Sequence, residues 1–174
     1  MTPHIRPATE RDLTEILRIH NAAIRDTTAT WDEEPWTMEQ RRNWWLHEHA
    51  EDPWSPVLVA EADGAFAGFT YLSKMSEKSG WRFSREDTIY VDPPFHGRGL
   101  GRLMLTALLD LAKERGPRLI VASITSDNIA SIVLHQHLGF ELMGTMKNAG
   151  YKFGRWLDTT YWQIDLHDSW PPRV

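Results

Sequence analysis

A glycine-rich, basic turn is the part of this chain with the clearest chemistry. Residues 96–102 read HGRGLGR, after an apolar, strand-like segment and at the start of a helical pattern. Glycine lets backbone N–H groups approach an anion, and the N-terminus of a helix supplies the positive end of its dipole. Arg98 and Arg102 add charge, although the whole chain has a net charge of -5. The turn therefore predicts a phosphate-binding cradle, and the alternative is a glycine-rich helix start without a ligand.

The spacing of this turn excludes two familiar nucleotide motifs. It has no Gly-Lys-Ser/Thr, so it is not a Walker loop, and no βαβ unit with a ribose-binding acid follows, so it is not a Rossmann turn. The chain has no cysteine, which removes disulfides, thiol nucleophiles and Cys-type zinc sites. His135 and His137 are two residues apart on a predicted helix, whereas two metal ligands on one face of a helix need a spacing of three or four residues. We therefore expect no metal site.

Length and composition limit the classes of protein to which the chain can belong. With 174 residues, of which 41% are hydrophobic and 25% charged, the chain fits a single domain, 1–174, with a core at about 4–166 and a loose tail at 167–174. Its mild acidity argues against nucleic acid as a partner, and no apolar run approaches the roughly 18 residues of a membrane helix. The N-terminus lacks an apolar signal core and the absence of cysteine fits a reducing compartment, so we expect a cytoplasmic protein.

The elements that must position the turn alternate between strands and helices. Thr9 with Asp12 resembles a capping box that starts a helix, Thr37 caps a second helix, and the turn at 62–64 predicts a β-hairpin. A nearly continuous apolar run at 118–125 is typical of a strand buried on both faces. Together these signals predict a mixed α/β layer fold. The predicted elements are a strand at 5–7, a helix from Thr9 with a loop over 21–36, a helix over 37–50, a hairpin over 55–73, a strand over 84–95, a helix over 99–115, a strand over 118–125, a helix over 126–140 and two strands around a loop over 141–166.

The turn also carries a family resemblance. HGRGLG is similar to the Arg/Gln-x-x-Gly-x-Gly/Ala signature of the GNAT superfamily of N-acetyltransferases, with His96 in the place usually held by Arg or Gln. Four longer stretches, in order over about residues 4–166, resemble the phosphinothricin and methionine sulfoximine acetyltransferase branch: IRPATERDLTEILRIHNAAIRDTTATWDEEP, REDTIYVDPPFHGRGLG, SDNIASIVLHQHLGF and GYKFGRWLDTTYWQ. The resemblance implies an α/β fold with a mixed, strongly twisted central sheet, helices on both faces and a splay where the cofactor enters. It also implies acetyl-CoA as cosubstrate and a homodimer.

The resemblance further implies which residues hold the cosubstrate. The turn after Pro94 would grip the pyrophosphate mostly through main-chain N–H groups, so the loss of a fixed positive charge at His96 leaves the cradle intact. The pantetheine arm would lie along the preceding strand like an added strand. Asn128 and Ser131 would contact the same arm, and the alternative for Asn128 is an N-terminal helix cap, a role that Asp127 or Ser126 could equally fill. The implied cofactor-binding residues are Ile89, Tyr90, Val91, Gly97, Arg98, Gly99, Leu100, Gly101, Arg102, Asn128 and Ser131.

Acetyl transfer to an amine needs a neutral amine, a polarised thioester carbonyl and a proton for the leaving thiolate. The resemblance implies Glu86 as the base, acting directly or through water, with Asp87 as the fallback and a solvated strand residue as the alternative. Alternation puts Glu86, Thr88 and Tyr90 on one face of the strand. His135 stands where many members have a tyrosine acid, so its imidazole could protonate the thiolate or help to deprotonate the amine, and the alternative is a structural histidine. With no cysteine and no serine in a nucleophile context, transfer is expected to be direct.

The implied acceptor is a small amino-acid-like amine, whose carboxylate needs a cationic partner. Arg82, just before the central strand, is the first choice, and Arg85 competes with it. Lys152 and Trp31 are further substrate-binding candidates, and residues 152–156 could reach the pocket of a neighbouring subunit. The aromatic residues that could wall the pocket, or else be core or dimer contacts, are Trp31, Trp81, Phe83, Phe153 and Trp156.

These residues together predict an acetyl-CoA-dependent N-acetyltransferase for small amino-acid derivatives of the phosphinothricin or methionine sulfoximine type. One rival is an acetyltransferase for protein N-termini or polyamines. A polyamine enzyme should show an acidic acceptor pocket, against which Arg82 and Lys152 argue. The other rival is a non-catalytic acyl-CoA sensor on the same fold, against which Glu86 and His135 argue.

Overall fold

A computed structural model of the protein describes residues 3–166, and the predicted tail at 167–174 lies outside the described residues. The strands are β1 (His4–Pro7), β2 (Val57–Ala62), β3 (Ala65–Lys74), β4 (Ser84–Val91), β5 (Leu119–Thr125), β6 (Glu141–Lys152) and β7 (Arg155–Asp165). They form one seven-stranded sheet in the order β1-β2-β3-β4-β5-β7-β6. Neighbouring strands are antiparallel except β4 and β5, which are parallel.

Helices cover both faces of this sheet. They are α1 (Leu13–Asp26), α2 (Met38–Trp44, continued by a π-helical turn Trp45–His49), α3 (Leu100–Arg115) and α4 (Ile129–His137). On one face, Ile16 of α1 and Trp44 of α2 pack with Phe69 of the sheet. On the other face, Leu108 of α3 packs in a second core with Trp162 of β7. The predicted α/β fold with helices on both faces is therefore confirmed.

No helix within residues 3–166 is long and apolar enough to cross a membrane.

Local signals explain several element ends. The backbone N–H of Thr9 donates to the Asp12 carboxylate at 2.7 Å, as the predicted capping box requires. The pair closes a single 3-10 turn, however, and α1 itself begins only at Leu13. In the β2–β3 hairpin, Asp63 and Gly64 have φ of 53° and 80°. Both values lie in the left-handed region that a tight hairpin turn uses.

The parallel pair splits the sheet because it is short. β4 pairs with β5 only from Ser84, opposite Leu119, to Glu86, opposite Val121. β4 nevertheless stays paired with β3 as far as Val91. The backbone of residues 87–91 is therefore left without a strand partner on the β5 side, which is the splay that the resemblance implies.

The edge strand β6 exposes an apolar surface. Most of its side chains are exposed, and several of them are large and hydrophobic. Contiguous exposed apolar surface usually marks an interaction site. We call this surface the β6 face, and it is made by Leu142, Met143, Met146 and Tyr151 with Trp156 from β7, each more than half exposed.

Candidate active site

Two adjoining cavities open at the split between β4 and β5. The larger one, the long groove, has a volume of about 820 Å³ and runs past the end of α1, the β4 main chain, the 96–102 turn and the start of α4. The smaller one, the inner cavity, has a volume of about 300 Å³ and lies between β4, β5 and the loop after α1. A ligand in the groove can meet one in the inner cavity where the two adjoin. The residues that line both are Ala29, Ile89, Tyr90, Asn128 and Ser131.

The 96–102 turn presents open main chain to the long groove. Gly97 and Gly99 have φ of 71° and 78°, a conformation that glycine adopts without strain. An added Cβ at either position would meet no atom within 4 Å, so both glycines face open space. At Gly101, in contrast, a Cβ would lie 3.4 Å from the Leu134 side chain, because α3 starts close to α4 there. Open amides at the start of the 16-residue α3 fit a diphosphate.

The side chains of this turn lie in different places. Arg102 lines the long groove. Arg98 does not, because its guanidinium donates to Asp63 at 3.3 Å on the protein surface. His96 lines the groove, and its Nε2 lies 2.8 Å from the Val91 carbonyl oxygen, to which the ring donates. Of the two arginines of the turn, Arg102 alone lines the groove, so the main chain supplies most of what the turn offers to an anion.

Glu86 carries an uncommitted carboxylate at the end of the β4–β5 pair. Glu86 lines the inner cavity and is half-buried, and no hydrogen bond to its side-chain carboxylate is found within residues 3–166. Burial raises the pKa of Glu86, and the neighbouring charge of Asp87 raises it further. A carboxylate with a raised pKa and free lone pairs is suited to accept a proton near neutral pH.

His135 is held on both sides of its ring. Its Nε2 lies 3.0 Å from Asp87 Oδ2, and its Nδ1 lies 2.7 Å from the Ser131 carbonyl oxygen. Burial opposes a charged ring, but the hydrogen bond and charge of Asp87, with the Ser131 carbonyl, outweigh burial, so the pKa of His135 is raised. The second Asp87 oxygen, Oδ1, is buried and has no hydrogen-bond partner within the described chain.

Asn128 and Ser131 stand together at the first turn of α4, where the two cavities adjoin. The Asn128 side chain accepts from the Ser131 backbone N–H at 3.2 Å, so Asn128 caps the helix as the alternative prediction had it. The cap does not exclude a contact to a ligand, since both residues also line the long groove.

Trp31 walls the inner cavity, as predicted, and Lys152 supports it from behind. Trp31 Nε1 donates to Thr125 at 2.9 Å, and its ring lies so close to Gly150 that an added Cβ there would be 2.3 Å away. The buried Lys152 ammonium donates to the carbonyl oxygens of Thr27 and Thr30, at 3.0 and 2.7 Å. Lys152 therefore anchors the loop that carries Trp31 and does not line either cavity, because two carbonyls already occupy its ammonium.

The structure does not bring the predicted arginines to the inner cavity. Arg82 is exposed, donates to the Ser79 carbonyl and lies 4.5 Å above the Phe83 ring. Arg85 is buried and bonded to the Trp54 carbonyl, so it is part of the scaffold. Neither arginine is among the residues that line the two cavities, and the same holds for Trp81, Phe83 and Trp156, whereas Phe153 lines the long groove.

The inner cavity is acidic, with a buried cation behind it. Asp32 lines it together with Glu86 and Asp87, and no Lys or Arg is among its described lining residues. Arg41, only 1% exposed, donates to His20 Nδ1 at 2.6 Å and lies between two tryptophan rings. Because Nδ1 accepts from Arg41, the ring of His20 carries its hydrogen on Nε2. Burial, with the charges of Arg41 and Lys152, lowers the pKa of His20 to about 3, so this lining residue is a neutral donor.

Sequence reasoning missed Asp32, His20 and Arg41 as parts of the site. His20 follows the apolar spacing of α1, which marked it as a core position, and no local signal pairs it with Arg41. The available signal was the position of Arg41 between Trp36 and Trp44 in the sequence, because a guanidinium in the core packs against aromatic rings. Within residues 3–166 no three His, Asp or Glu side chains come close enough to hold a metal ion.

Comparison with known proteins agrees with this geometry. Residues 5–161 match the family model of the acetyltransferase (GNAT) domain. An L-methionine sulfoximine/L-methionine sulfone acetyltransferase of Pseudomonas paraeruginosa is 39% identical over 166 residues, which cover 95% of this chain and 96% of that protein. A phosphinothricin N-acetyltransferase of Streptomyces viridochromogenes is 35% identical and covers 97% of this chain and 91% of its own length.

A solved structure agrees in fold as well as sequence. It is a GNAT superfamily phosphinothricin acetyltransferase from Sinorhizobium meliloti in complex with acetyl-CoA. It superposes with a TM-score of 0.91 at 34% identity, over 99% of this chain and 94% of that one. The chain therefore belongs to the GNAT acetyltransferase family.

Proposed function

We propose that this enzyme moves an acetyl group from acetyl-CoA directly to the free amino group of a small, amino-acid-like acceptor of the phosphinothricin or methionine sulfoximine type. The observation that carries the proposal is the junction of the two cavities. There the unpaired main chain of β4 borders the long groove while the free carboxylate of Glu86 borders the inner cavity. A thioester and an amine placed on either side would meet beside a base.

The long groove is proposed as the acetyl-CoA site. Its pyrophosphate would be held by the main chain of residues 97–102 with the Arg102 side chain, at the N-terminus of α3. The pantetheine arm would pair with the free backbone of residues 89–91, as an added strand does. A backbone N–H of the same residues would polarise the thioester carbonyl, and Asn128 and Ser131 would contact the arm. Open glycine amides and an unpaired strand support this fit.

Glu86 is proposed as the base that takes the amine proton, and His135 as the source of the proton for the leaving thiolate. The raised pKa values of both groups support these roles, since a raised pKa makes Glu86 a stronger base and keeps His135 protonated to a higher pH. Direct transfer is supported by the absence of cysteine from the chain. It is also supported at Ser131, because the nearest imidazole nitrogen donates to a carbonyl and has no lone pair to activate the hydroxyl.

The acidic inner cavity favours a second acceptor class, amines without a carboxylate such as polyamines or protein N-termini. Asp32 and Glu86 attract a cation, whereas Asp87 is already paired with His135, and no Lys or Arg is among the described lining residues. We nevertheless favour an amino-acid-like acceptor, because the Nε2–H of His20 is a fixed donor backed by the Arg41 charge. We also propose that Arg82 attracts the carboxylate from the surface, while Trp31, anchored through Lys152, walls the acceptor.

A panel of acceptors tests this proposal through release of free thiol from acetyl-CoA. Methionine sulfone, methionine sulfoximine and phosphinothricin are expected to be acetylated well, and spermidine and short peptides poorly. Arg82→Ala is expected to raise the KM for these acceptors about twofold to fivefold, the effect of one exposed charge, and to spare their carboxyl amides. Arg42→Ala, another exposed arginine, is the control. A preference for spermidine would overturn the acceptor class, and no thiol release with any amine would favour an acyl-CoA sensor.

We also propose that two copies of the chain form a homodimer through the β6 face. The support is the row of large exposed hydrophobic side chains on an edge strand, a surface that a second copy would bury symmetrically. Light scattering is expected to give twice the chain mass, and Met143→Glu to give the monomer mass. Leu46→Glu, at an equally exposed leucine outside this face, should leave the dimer intact. A monomeric wild type would rule the dimer out.

We propose a cytoplasmic location, because a chain without cysteine has no disulfides that an oxidising compartment would form. Resistance to a herbicide-like or antibiotic-like amino acid would be a consequence of the proposed activity if that compound entered the cell.

A further inference from the structure

Asp87, His135 and Ser131 form a line of hydrogen bonds that leads from the core to the long groove. The Asp87 and His135 side chains are each 2% exposed, and they meet through Oδ2 and Nε2 at 3.0 Å. On the far side of the ring, Nδ1 lies 2.7 Å from the Ser131 carbonyl oxygen and 3.3 Å from the Ser131 hydroxyl. Ser131 is the member of this line that borders both cavities.

The partners of the ring fix where its protons are. A main-chain carbonyl can only accept, so Nδ1 carries a hydrogen. Nε2 and Asp87 Oδ2 lie at a hydrogen-bonding distance of 3.0 Å, so a second hydrogen lies between them. The groups that face the ring are Asp87 from β4, Ser131 from α4 itself and the uncharged Phe140 ring after α4, with its centroid 4.8 Å away. The pair therefore holds one proton more than a neutral imidazole beside a carboxylate.

This extra proton needs a carrier to the long groove, because His135 lines only the inner cavity and both of its ring nitrogens are already hydrogen-bonded. Nε2 is turned to the buried Asp87, and Nδ1 is turned to the first turn of α4. The Ser131 hydroxyl is within reach of Nδ1 and belongs to a half-buried residue at the junction of the cavities. A hydroxyl can receive a proton on one lone pair while it gives up its own, so it can pass the proton on.

We propose that Asp87, His135 and Ser131 are a proton relay to the leaving group, in which Ser131 is the catalytic residue that protonates the coenzyme A sulfur. The inference rests on the acetyl transfer proposed above. When the amine nitrogen bonds to the acetyl carbon, the C–S bond breaks and its electron pair stays on sulfur. Sulfur takes the hydroxyl proton of Ser131, and Oγ takes the Nδ1 proton of His135. The ring keeps its Nε2 proton at Asp87 and becomes neutral. After coenzyme A leaves, the ring regains a proton from water through the Ser131 hydroxyl, while the proton lost by the amine leaves through Glu86 to water.

The order of groups is that of a Ser-His-Asp triad, but the proton runs the other way. In a hydrolase the histidine offers a lone pair to the serine. Here the nitrogen nearest to the hydroxyl already carries a hydrogen, so the ring can give a proton to Ser131 and cannot take one from it. Asp87 and His135 are thus positioning residues that act through Ser131, and no acyl-serine forms.

The first test reads the resting protein without any substrate. Nitrogen-15 NMR of the histidine rings, assigned with His135→Asn, is expected to show both nitrogens of His135 protonated at pH 7. In Asp87→Asn the ring is expected to lose its second proton at a pH lower by about one unit or more, because the stabilising charge is gone. Asp110→Asn, which removes an exposed carboxylate of α3, should leave the ring unchanged. A neutral His135 ring at pH 7 in the wild type would overturn the relay, whatever the enzyme acetylates.

The second test varies the leaving group. Ser131→Ala keeps the backbone bonds of α4, and it is expected to lower kcat with acetyl-CoA about 100-fold, the usual loss of a general acid. With an S-aryl thioacetate as donor, whose thiolate leaves without a proton, the loss of rate in Ser131→Ala should be at least about tenfold smaller. Ser131→Thr restores a hydroxyl and should recover most of the rate with acetyl-CoA. An equal loss with both donors would mean that Ser131 only binds or packs, and it would overturn the inference.

The two tests separate failure of the relay from failure of the proposed function. If the wild type releases no thiol with any amine, the acetyl transfer itself fails, although the NMR result can still stand. If acetyl transfer is normal and Ser131→Ala is as fast as the wild type with acetyl-CoA, the relay fails and the function stands. Because Ser131→Ala perturbs no buried charge, the result does not depend on whether Asp87→Asn folds.

Discussion

Replacing Glu86 by glutamine is expected to lower kcat about 100- to 1,000-fold, the usual contribution of a general base. The glutamine keeps the shape of the side chain but has no lone pair basic enough to take the amine proton. The affinity for coenzyme A should stay within about twofold, because the 96–102 turn is untouched. Stopped-flow release of thiol gives kcat, and calorimetry with coenzyme A gives the Kd. Glu114→Gln, at an exposed glutamate of α3, is the matched control.

The pH dependence gives this prediction a second readout. The Glu86 base works when ionised, so activity is lost as the pH falls through its folded pKa. Burial and then Asp87 raise that pKa in the free enzyme, so the acid limb of the kcat/KM profile should lie above the value of roughly 4.3 that an ordinary glutamate would give.

As the pH rises, the contribution of Glu86 to the free energy of unfolding should fall while its activity as a base rises. A carboxyl whose folded pKa is raised stabilises the fold below its unfolded pKa, and this contribution is lost as the pH rises through the folded pKa. At pH 7 ionised Glu86 therefore destabilises the protein, and Glu86→Gln should not lower the free energy of unfolding.

An unchanged kcat in the Glu86→Gln variant would contradict the role of Glu86 as the base.

Replacing Gly99 by valine is expected to weaken coenzyme A binding at least about 100-fold. Gly99 has a φ of 78°, which a β-branched residue adopts only with strain, and its new side chain would project into open space where the diphosphate is proposed to lie. Isothermal calorimetry with coenzyme A measures the loss.

The control for this variant comes from the β2–β3 hairpin. Gly64 has a φ of 80° and likewise no atom within 4 Å of an added Cβ, so Gly64→Val introduces a similar backbone strain of about 1–3 kcal/mol away from the groove. Both variants should lose stability, but only Gly99→Val should lose binding. Equal affinity for coenzyme A in the two variants would place the diphosphate elsewhere.

Local patterns carried much of the fold. The hairpin turn at Asp63 and Gly64 and the helix start at Gly99 were both readable, because glycine and aspartate between two regular elements favour the left-handed backbone that a tight turn needs. The helix boundary at Thr9 was wrong by one turn, since a capping box can close a 3-10 turn as well as an α-helix. Signals of this kind depend on a few adjacent residues, so packing does not need to be known.

The candidate site was less readable because its contacts join distant parts of the chain. Asp87 and His135 are 48 residues apart, and nothing near either residue indicates the pairing. The sequence makes Lys152 a substrate-binding candidate, but the fold turns its ammonium to carbonyls 122 and 125 residues away. Arg82 was placed by resemblance, and its side chain lies outside the cavities. Side-chain direction is set by tertiary packing, which one sequence does not reveal.

The short pairing of β4 with β5 has a consequence for the supply of folded enzyme. If the acetyl donor completes the hydrogen bonds of β4, it binds the folded chain and not the unfolded one. By mass action it then raises the free energy of unfolding. A donor present at one hundred times its Kd adds about 2.7 kcal/mol to the free energy of unfolding. We therefore expect the folded fraction, and with it the resistance of the enzyme to degradation, to fall when the acetyl donor is scarce and to rise when it is plentiful.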